Sequence, residues 1–292
     1  MKNWRKNMDK ALQVSGKCER TRQAYIRAVR MLGEFYGKLP DKVTEDQLRD
    51  YFVHRKTVDD WAPNTMKIAY CGIKFFFQHV VKRDWHILSI LRAETEKRLP
   101  AILSQKEVWK VFTCIKKLHN FTFLTTVYTC GLRLHEALSL EVTDIDGKRK
   151  LIHVHRGKGA RDRYIPLPEE TLRALRRYWA SHRNPRLVFP ARGQGDKLAP
   201  TATRHMSKTS VQGALKRAVI RAGINKKHIS VHTLRHCYGT HLLEAGVNLP
   251  VIQKYMGHRS VMSTMIYLHL TTRGWNDAYD VINDLMKGNT HE

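Results

Sequence analysis

Cysteine is scarce and scattered. The five residues Cys18, Cys71, Cys114, Cys130 and Cys237 include no CxxC pair. This argues against a disulfide framework, and the thiols read as reduced, partly buried groups in or near helices. No apolar run approaches the roughly 20 residues of a membrane span. The amino terminus, MKNWRKNMDK, is basic but lacks the apolar stretch of a secretion signal. Long internal repeats and low-complexity segments are also missing. Negative charge is the most conspicuous shortage: 26 acidic side chains stand against 52 basic ones, a formal net charge of +26.

Such an excess calls for a polyanionic partner, and nucleic acid leads. The excess is spread along the chain: residues 1–98 carry 21 basic and 12 acidic side chains, and residues 99–292 carry 31 and 14. Both halves therefore suit a phosphate backbone. An apolar fraction of 42% argues against global disorder, and 292 residues suit two domains better than one. A cytoplasmic location follows, with nucleoid association when the protein acts on DNA.

Residues 1–91 read as a helical bundle. Glu19 to Lys38 places Tyr25, Ala28, Val29, Leu32, Phe35 and Tyr36 at helical spacing, with arginines opposite. Thr44-Glu45-Asp46-Gln47 has capping-box spacing, and Pro63 suits a first helical turn. Residues 92–103 read as a linker. Ser104-Gln105-Lys106-Glu107, a second capping box, opens a mixed domain over 104–292. Helices are expected near 105–118, 120–130 and Arg133 to Leu140. Three alternating runs, Val142–Asp146, Leu151–His155 and Arg163–Leu167, predict a small antiparallel sheet. Helices then follow near 169–182, 208–222, 232–245, 248–256, 260–270 and 274–286.

Metal-free cleavage of a phosphodiester needs a nucleophile, donors for the non-bridging oxygens and a proton for the leaving oxygen. Arginine forks match phosphate oxygens, each such donor being worth roughly 3–4 kcal/mol in a transition state. Arg133 follows Gly131 at a helix start, with Glu136 one turn on to brace it. Lys158 lies between Gly157 and Gly159 at a hairpin tip, where the backbone can approach a phosphate. His232 and Arg235 share a helix face in His232-Thr233-Leu234-Arg235-His236. His232 and His236 have helical zinc spacing, but the glutamate of HExxH is missing and no further ligands join them. Gly257-His258 ends one helix, and Tyr267 follows nine residues after His258. Taken singly, each of these residues has an ordinary structural explanation.

In order, Gly-Leu-Arg-x-x-Glu, Gly-Lys-Gly, His-x-Leu-Arg-His, Gly-His and Thr-x-x-Tyr resemble the tyrosine recombinases, the phage integrase family. The resemblance is sharp over about 99–275 and holds only by pattern over about 10–90. It implies a mainly α, two-domain clamp on duplex DNA: a SAM-like, core-binding helical bundle and an α+β catalytic domain with the small antiparallel sheet. It implies a site-specific recombinase acting through a 3′-phosphotyrosine, without cofactor, ATP or metal. Arg133 and Arg235 would clamp the phosphate, and Lys158 would be the general acid. His232 would shuttle the proton of the nucleophile Tyr267, and His258 would hydrogen-bond the phosphate. A homo-tetramer on two DNA sites is implied, with accessory DNA-bending proteins as further partners, no membrane, and a role in a mobile element. The helix near 274–286 would dock on a neighbouring protomer. Cys237-Tyr238-Gly239 departs from the small residues usual there, and the 191–206 loop is long. A type IB topoisomerase, a non-catalytic DNA-binding protein and an RNA-binding protein are the alternatives.

Overall fold

The computed structural model describes residues 3–90, 99–155, 162–194, 197–258 and 260–271. They form two compact units, Met1–Arg98 and Leu99–Glu292.

The first unit is helical. Its helices are α1 (Trp4–Val14), α2 (Glu19–Tyr36), α3 (Glu45–Thr57), α4 (Pro63–Phe75) and α5 (Ile87–Ile90). Helix α1 was not anticipated: Trp4, Met8 and Leu12 make only a narrow apolar stripe in a charged segment, yet Met8 and Leu12 are fully buried. Gly37 stops α2 in the left-handed conformation, φ 62°. The Thr44 hydroxyl accepts from the Gln47 amide to start α3, as the spacing predicts. Pro63 opens α4, which continues as a π turn over Phe76–Val81. Helices α2 and α4 nearly touch: a Cβ on Gly72 would lie 2.9 Å from the Tyr25 Cα. Val29, Leu32, Leu48, Tyr51, Phe76 and Phe77 fill the core.

In the second unit Leu103 is fully buried, and its amide donates to Cys237 Sγ at 3.2 Å. The segment expected to be linker up to 103 thus ends inside this core. The Ser104 capping box starts α6 (Gln105–Thr113), which stops short of the expected 118. Helix α7 (Leu118–Thr129) and the short α8 (Leu134–Leu138) follow, then a 3-10 turn at Val142–Asp144. Strands β1 (Ile145–Asp146), β2 (Leu151–Val154) and β3 (Arg163–Pro166) pair antiparallel in the order β1-β2-β3. The first alternating run is thus half turn, half strand. Alternation directs Ile152, Val154, Arg163 and Ile165 inward and leaves Tyr164 exposed.

Helices α9 (Glu169–Ala180), α10 (Lys208–Arg221), α11 (Val231–Glu244) and α12 (Leu249–Met256) complete the frame. Helix α11 packs against α6, α7, α10 and α12. It is buried nearly all round, through Leu234, Arg235, Cys237, Tyr238 and Thr240 among others. The helix expected over 260–270 is broken into α13 (Met262–Met265) and a 3-10 turn at Leu268–Leu270. The amides of Tyr267 and Leu270 bond three residues back, to Thr264 and Tyr267, and this tighter turn delivers Tyr267 into the interior. The expected helix near 274–286 lies outside the described residues. None of the helices among the described residues is long and apolar enough to cross a membrane.

Candidate active site

Gly131 makes the turn between α7 and α8. Its φ is +60°, and a Cβ there would fall 2.3 Å from the Tyr238 ring. Glycine meets both demands, and the turn delivers Arg133 to the N-cap of α8. The bulky Tyr238, a departure from the usual small residue, thus rests against the one side chain that can be absent.

Glu136, one turn along α8, sits at the centre of the site. Its carboxylate accepts from the Arg133 amide at 2.9 Å and from Arg133 Nη1 at 2.7 Å. Arg163, from β3, donates to both oxygens, at 3.1 and 2.8 Å. Arg235 Nη1 lies 3.8 Å away. Burial alone would raise the Glu136 carboxyl, but the hydrogen bonds and charge of Arg163, then those of Arg133, outweigh it and hold the group at about 2. One carboxylate therefore compensates an arginine cluster. The bracing of Arg133 by Glu136 matches the expectation from their spacing; the sharing with Arg163 does not follow from it.

The C-terminal end of α12 completes the cradle. Three successive carbonyls each accept from an arginine: Tyr255 from Arg163 Nε at 2.8 Å, Met256 from Arg235, and Gly257 from Arg133 Nη2 at 3.0 Å. A helix ends with unpaired carbonyls and partial negative charge, which suits cations. Gly257, φ 59°, turns the chain there. Arg235 is 1% exposed and also donates to the Gly131 carbonyl. Burial and the charge of Arg133 push its guanidinium down to about 9, so it stays charged at neutral pH.

Tyr267 is fully buried, against Tyr238, Ile252 and Met256. A Cβ on Gly239 would lie 2.7 Å from its ring, so the glycine after Tyr238 makes room for it. Burial raises the phenol to about 12, against the opposing charges of Arg235 and Arg133. Its hydroxyl lies 3.3 Å from His236 Nδ1. His232 is exposed and meets His236 edge-on, with ring centroids 4.6 Å apart. Burial, then the neighbours His232 and Arg235, push His236 down to about 4. His258 lies parallel to the Tyr267 ring at 6.2 Å, with its Nδ1 2.9 Å from Thr264 Oγ1. Burial and four cationic or imidazole neighbours, Arg235 first, lower it to about 3.

The fold thus gathers Arg133, Glu136, His232, Arg235, His258 and Tyr267 from distant parts of the chain. Lys158 lies outside the described residues. Arg163 and His236 were not anticipated here. An arginine directed inward from a strand carries no local signal, and His236 stood out for its spacing from His232 and as the last residue of the His-x-Leu-Arg-His motif, with no role attached to it. Chemically, the cluster offers cationic donors for an anion beside a protonated phenol and a neutral imidazole.

The profile described as "Phage integrase family" matches residues 96–273, and that of the "Phage integrase, N-terminal SAM-like domain" matches 4–87. The protein y4qK of Sinorhizobium fredii, which carries integrase/recombinase in its name, is 35% identical over 269 residues, 92% of this chain and 84% of its own. The tyrosine recombinase XerA of Thermococcus onnurineus is 30% identical over 275 residues, 92% of this chain and 91% of its own. Among solved structures, the Tn1549 transposon integrase in complex with transposon right-end DNA superposes with a TM-score of 0.69 at 19% identity, over 96% of this chain and 99% of that one.

Proposed function

Because this chain belongs to the phage integrase family, and is a DNA recombinase on that ground, we propose that Tyr267 is the nucleophile with which it cuts and rejoins duplex DNA. The Tyr267 oxygen attacks a backbone phosphorus and the bond to the 5′ oxygen breaks. The phosphoryl group is left on the tyrosine, linked to the 3′ oxygen. The phenol proton passes to His236, the imidazole in contact with the hydroxyl. The leaving 5′ oxygen takes a proton from Lys158. Attack by a 5′ hydroxyl of the partner strand reverses these steps, and phosphoester energy is carried in the tyrosine link. Arg133 and Arg235 donate to the non-bridging oxygens; each guanidinium carries five N–H donors, so donors remain beyond those spent on Glu136 and the α12 carbonyls. His258 adds a neutral imidazole donor, and His232 supports His236.

The observation that carries this reading is the convergence of three arginines on Glu136 and the end of α12, close enough for the charge of Arg235 and Arg133 to act on the Tyr267 hydroxyl. Covalent capture tests it. Wild type and Tyr267→Phe are incubated in EDTA with nicked duplexes drawn from DNA flanking the gene. A denaturant-resistant adduct in wild type, absent from Tyr267→Phe, is expected. An adduct of equal yield in the variant removes Tyr267 from this role.

The finer reading is a homo-tetramer on two DNA sites, with accessory DNA-bending proteins, acting in the cytoplasm on a mobile element. The integrase/recombinase name of the Sinorhizobium fredii relative supports the mobile-element part. Residues 274–286 dock on a neighbour in this reading; removing 274–292 then abolishes synapsis of paired sites, and unchanged synapsis counts against it.

A further inference from the structure

We propose that Asp144, His153 and His155 bind a divalent transition-metal ion, zinc by the chemistry of the donors, on the outer face of the small sheet. This inference stands apart from the recombinase reading, and its test reads metal binding rather than DNA cleavage.

One donor atom from each of the three residues lies within 4.8 Å of the others. The Asp144 Oδ1 is 2.9 Å from His155 Nε2. Asp162 Oδ2 is 3.3 Å from His155 Nδ1 and 3.3 Å from His153 Nε2. Tetrahedral zinc with bonds of about 2.0–2.1 Å spaces its donors about 3.3 Å apart, so the Asp144–His155 separation needs little change and His153, within 4.8 Å of both, needs only to draw closer. Imidazole and carboxylate together suit zinc and its neighbours better than calcium or magnesium.

The donors are also held. His153 is paired in register with Tyr164, and the two rings stack at 4.5 Å and 12°. His155, just past the end of β2, lies beside it, with the imidazole centroids 4.0 Å apart. Asp144 is 7% exposed at its side chain, and its Oδ2 accepts from the Glu141 amide at 2.9 Å, which leaves Oδ1 directed at His155. Asp162 on the Nδ1 of His155 reproduces the carboxylate–histidine–metal relay that fixes a ligand's tautomer. An ordinary Asp–His contact engages one imidazole nitrogen. Here one imidazole meets a carboxylate at each nitrogen, and a second imidazole shares one of those carboxylates. In the sequence, His155 and Asp162 flank residues 156–161, which include Lys158.

The test uses the full chain, stripped with EDTA and titrated with Zn²⁺, and with Co²⁺ as a coloured probe. One equivalent is expected in wild type, with the visible absorption of nitrogen- and oxygen-ligated cobalt, no thiolate bands, and a Tm that rises with zinc. His153→Gln/His155→Gln should lose both the equivalent and the Tm rise while matching wild type in EDTA. Asp162→Asn should keep the site at about 10–100-fold weaker affinity. Failure of wild type to take up an equivalent overturns the proposal, as does an unchanged cobalt spectrum in the double variant. If the double variant does not fold, the ring-nitrogen resonances of wild type decide: zinc-induced shifts at His153 and His155 support the site, and shifts confined to other histidines refute it.

Discussion

Tyr267 holds its proton firmly in the free protein, because burial raises its phenol to about 12 while the base beside it, His236, is depressed to about 4. In the proposed reaction that proton passes to His236 as the phenol oxygen attacks the phosphate. His236→Gln should slow adduct formation by about 10²–10⁴-fold, the span of general-base catalysis, with DNA affinity unchanged in a mobility-shift assay. A variant as fast as wild type would return the proton to His232. Glu136 makes a second residue-level prediction. Removing it leaves Arg163, Arg235 and Arg133 uncompensated, so Glu136→Ala should cost about 3–5 kcal/mol in chemical denaturation. A third concerns acid. His236 and His258 are neutral in the fold, at about 4 and about 3, and protonate near their ordinary 6.5 when unfolded. Their contribution is present above pH 6.5 and declines as the pH falls towards 4, since the unfolded chain then binds the extra protons. Glu136, depressed to about 2, adds to the loss only below its ordinary 4.5. The Tm should fall between pH 6.5 and 4.5, and less so in His258→Gln; identical profiles would contradict the assignment.

Among the elements, α11 carries most of the candidate site's positioning: Arg235 and His236 line it, Tyr238 covers Gly131, and Gly239 seats Tyr267. Gly239→Ala drives a methyl to 2.7 Å from the Tyr267 ring. It should lower stability by about 1–3 kcal/mol, as overpacking does, and impair adduct formation more than DNA binding. Equal losses of both would mean general unfolding. The helix starts at Thr44, Pro63 and Ser104 were legible because caps and first-turn proline act within four residues. The pairing of Arg133 with Glu136 was legible for the same reason. The breaking of 260–270 was not, because the apolar spacing of Val261, Met265 and Leu268 suits one long helix. What decides it is the demand to turn Tyr267 inward, which only the assembled cluster supplies. Arg163 and His236 escaped for a like cause, since their partners are distant in sequence.

For the whole molecule, the charge of +26 is carried by both units, so electrostatics should dominate DNA affinity. If six to ten phosphates are contacted, affinity should fall by roughly 10³–10⁵-fold between 50 and 200 mM salt, read from a log–log plot. A flat plot would mean that the basic surface does not meet the backbone. The arginines have a different anchor. Their cradle is made of the carbonyls of Tyr255, Met256 and Gly257, and a carbonyl belongs to every amino acid. Those carbonyl contacts do not depend on the side chains at 255 and 256, only on the left-handed turn at 257, although Met256 is separately held by its burial against Tyr267. A designer who grafted only the arginines, the histidines and the tyrosine onto another scaffold would leave the anchor behind, and would need to transplant the last turn of α12 as a piece of main chain.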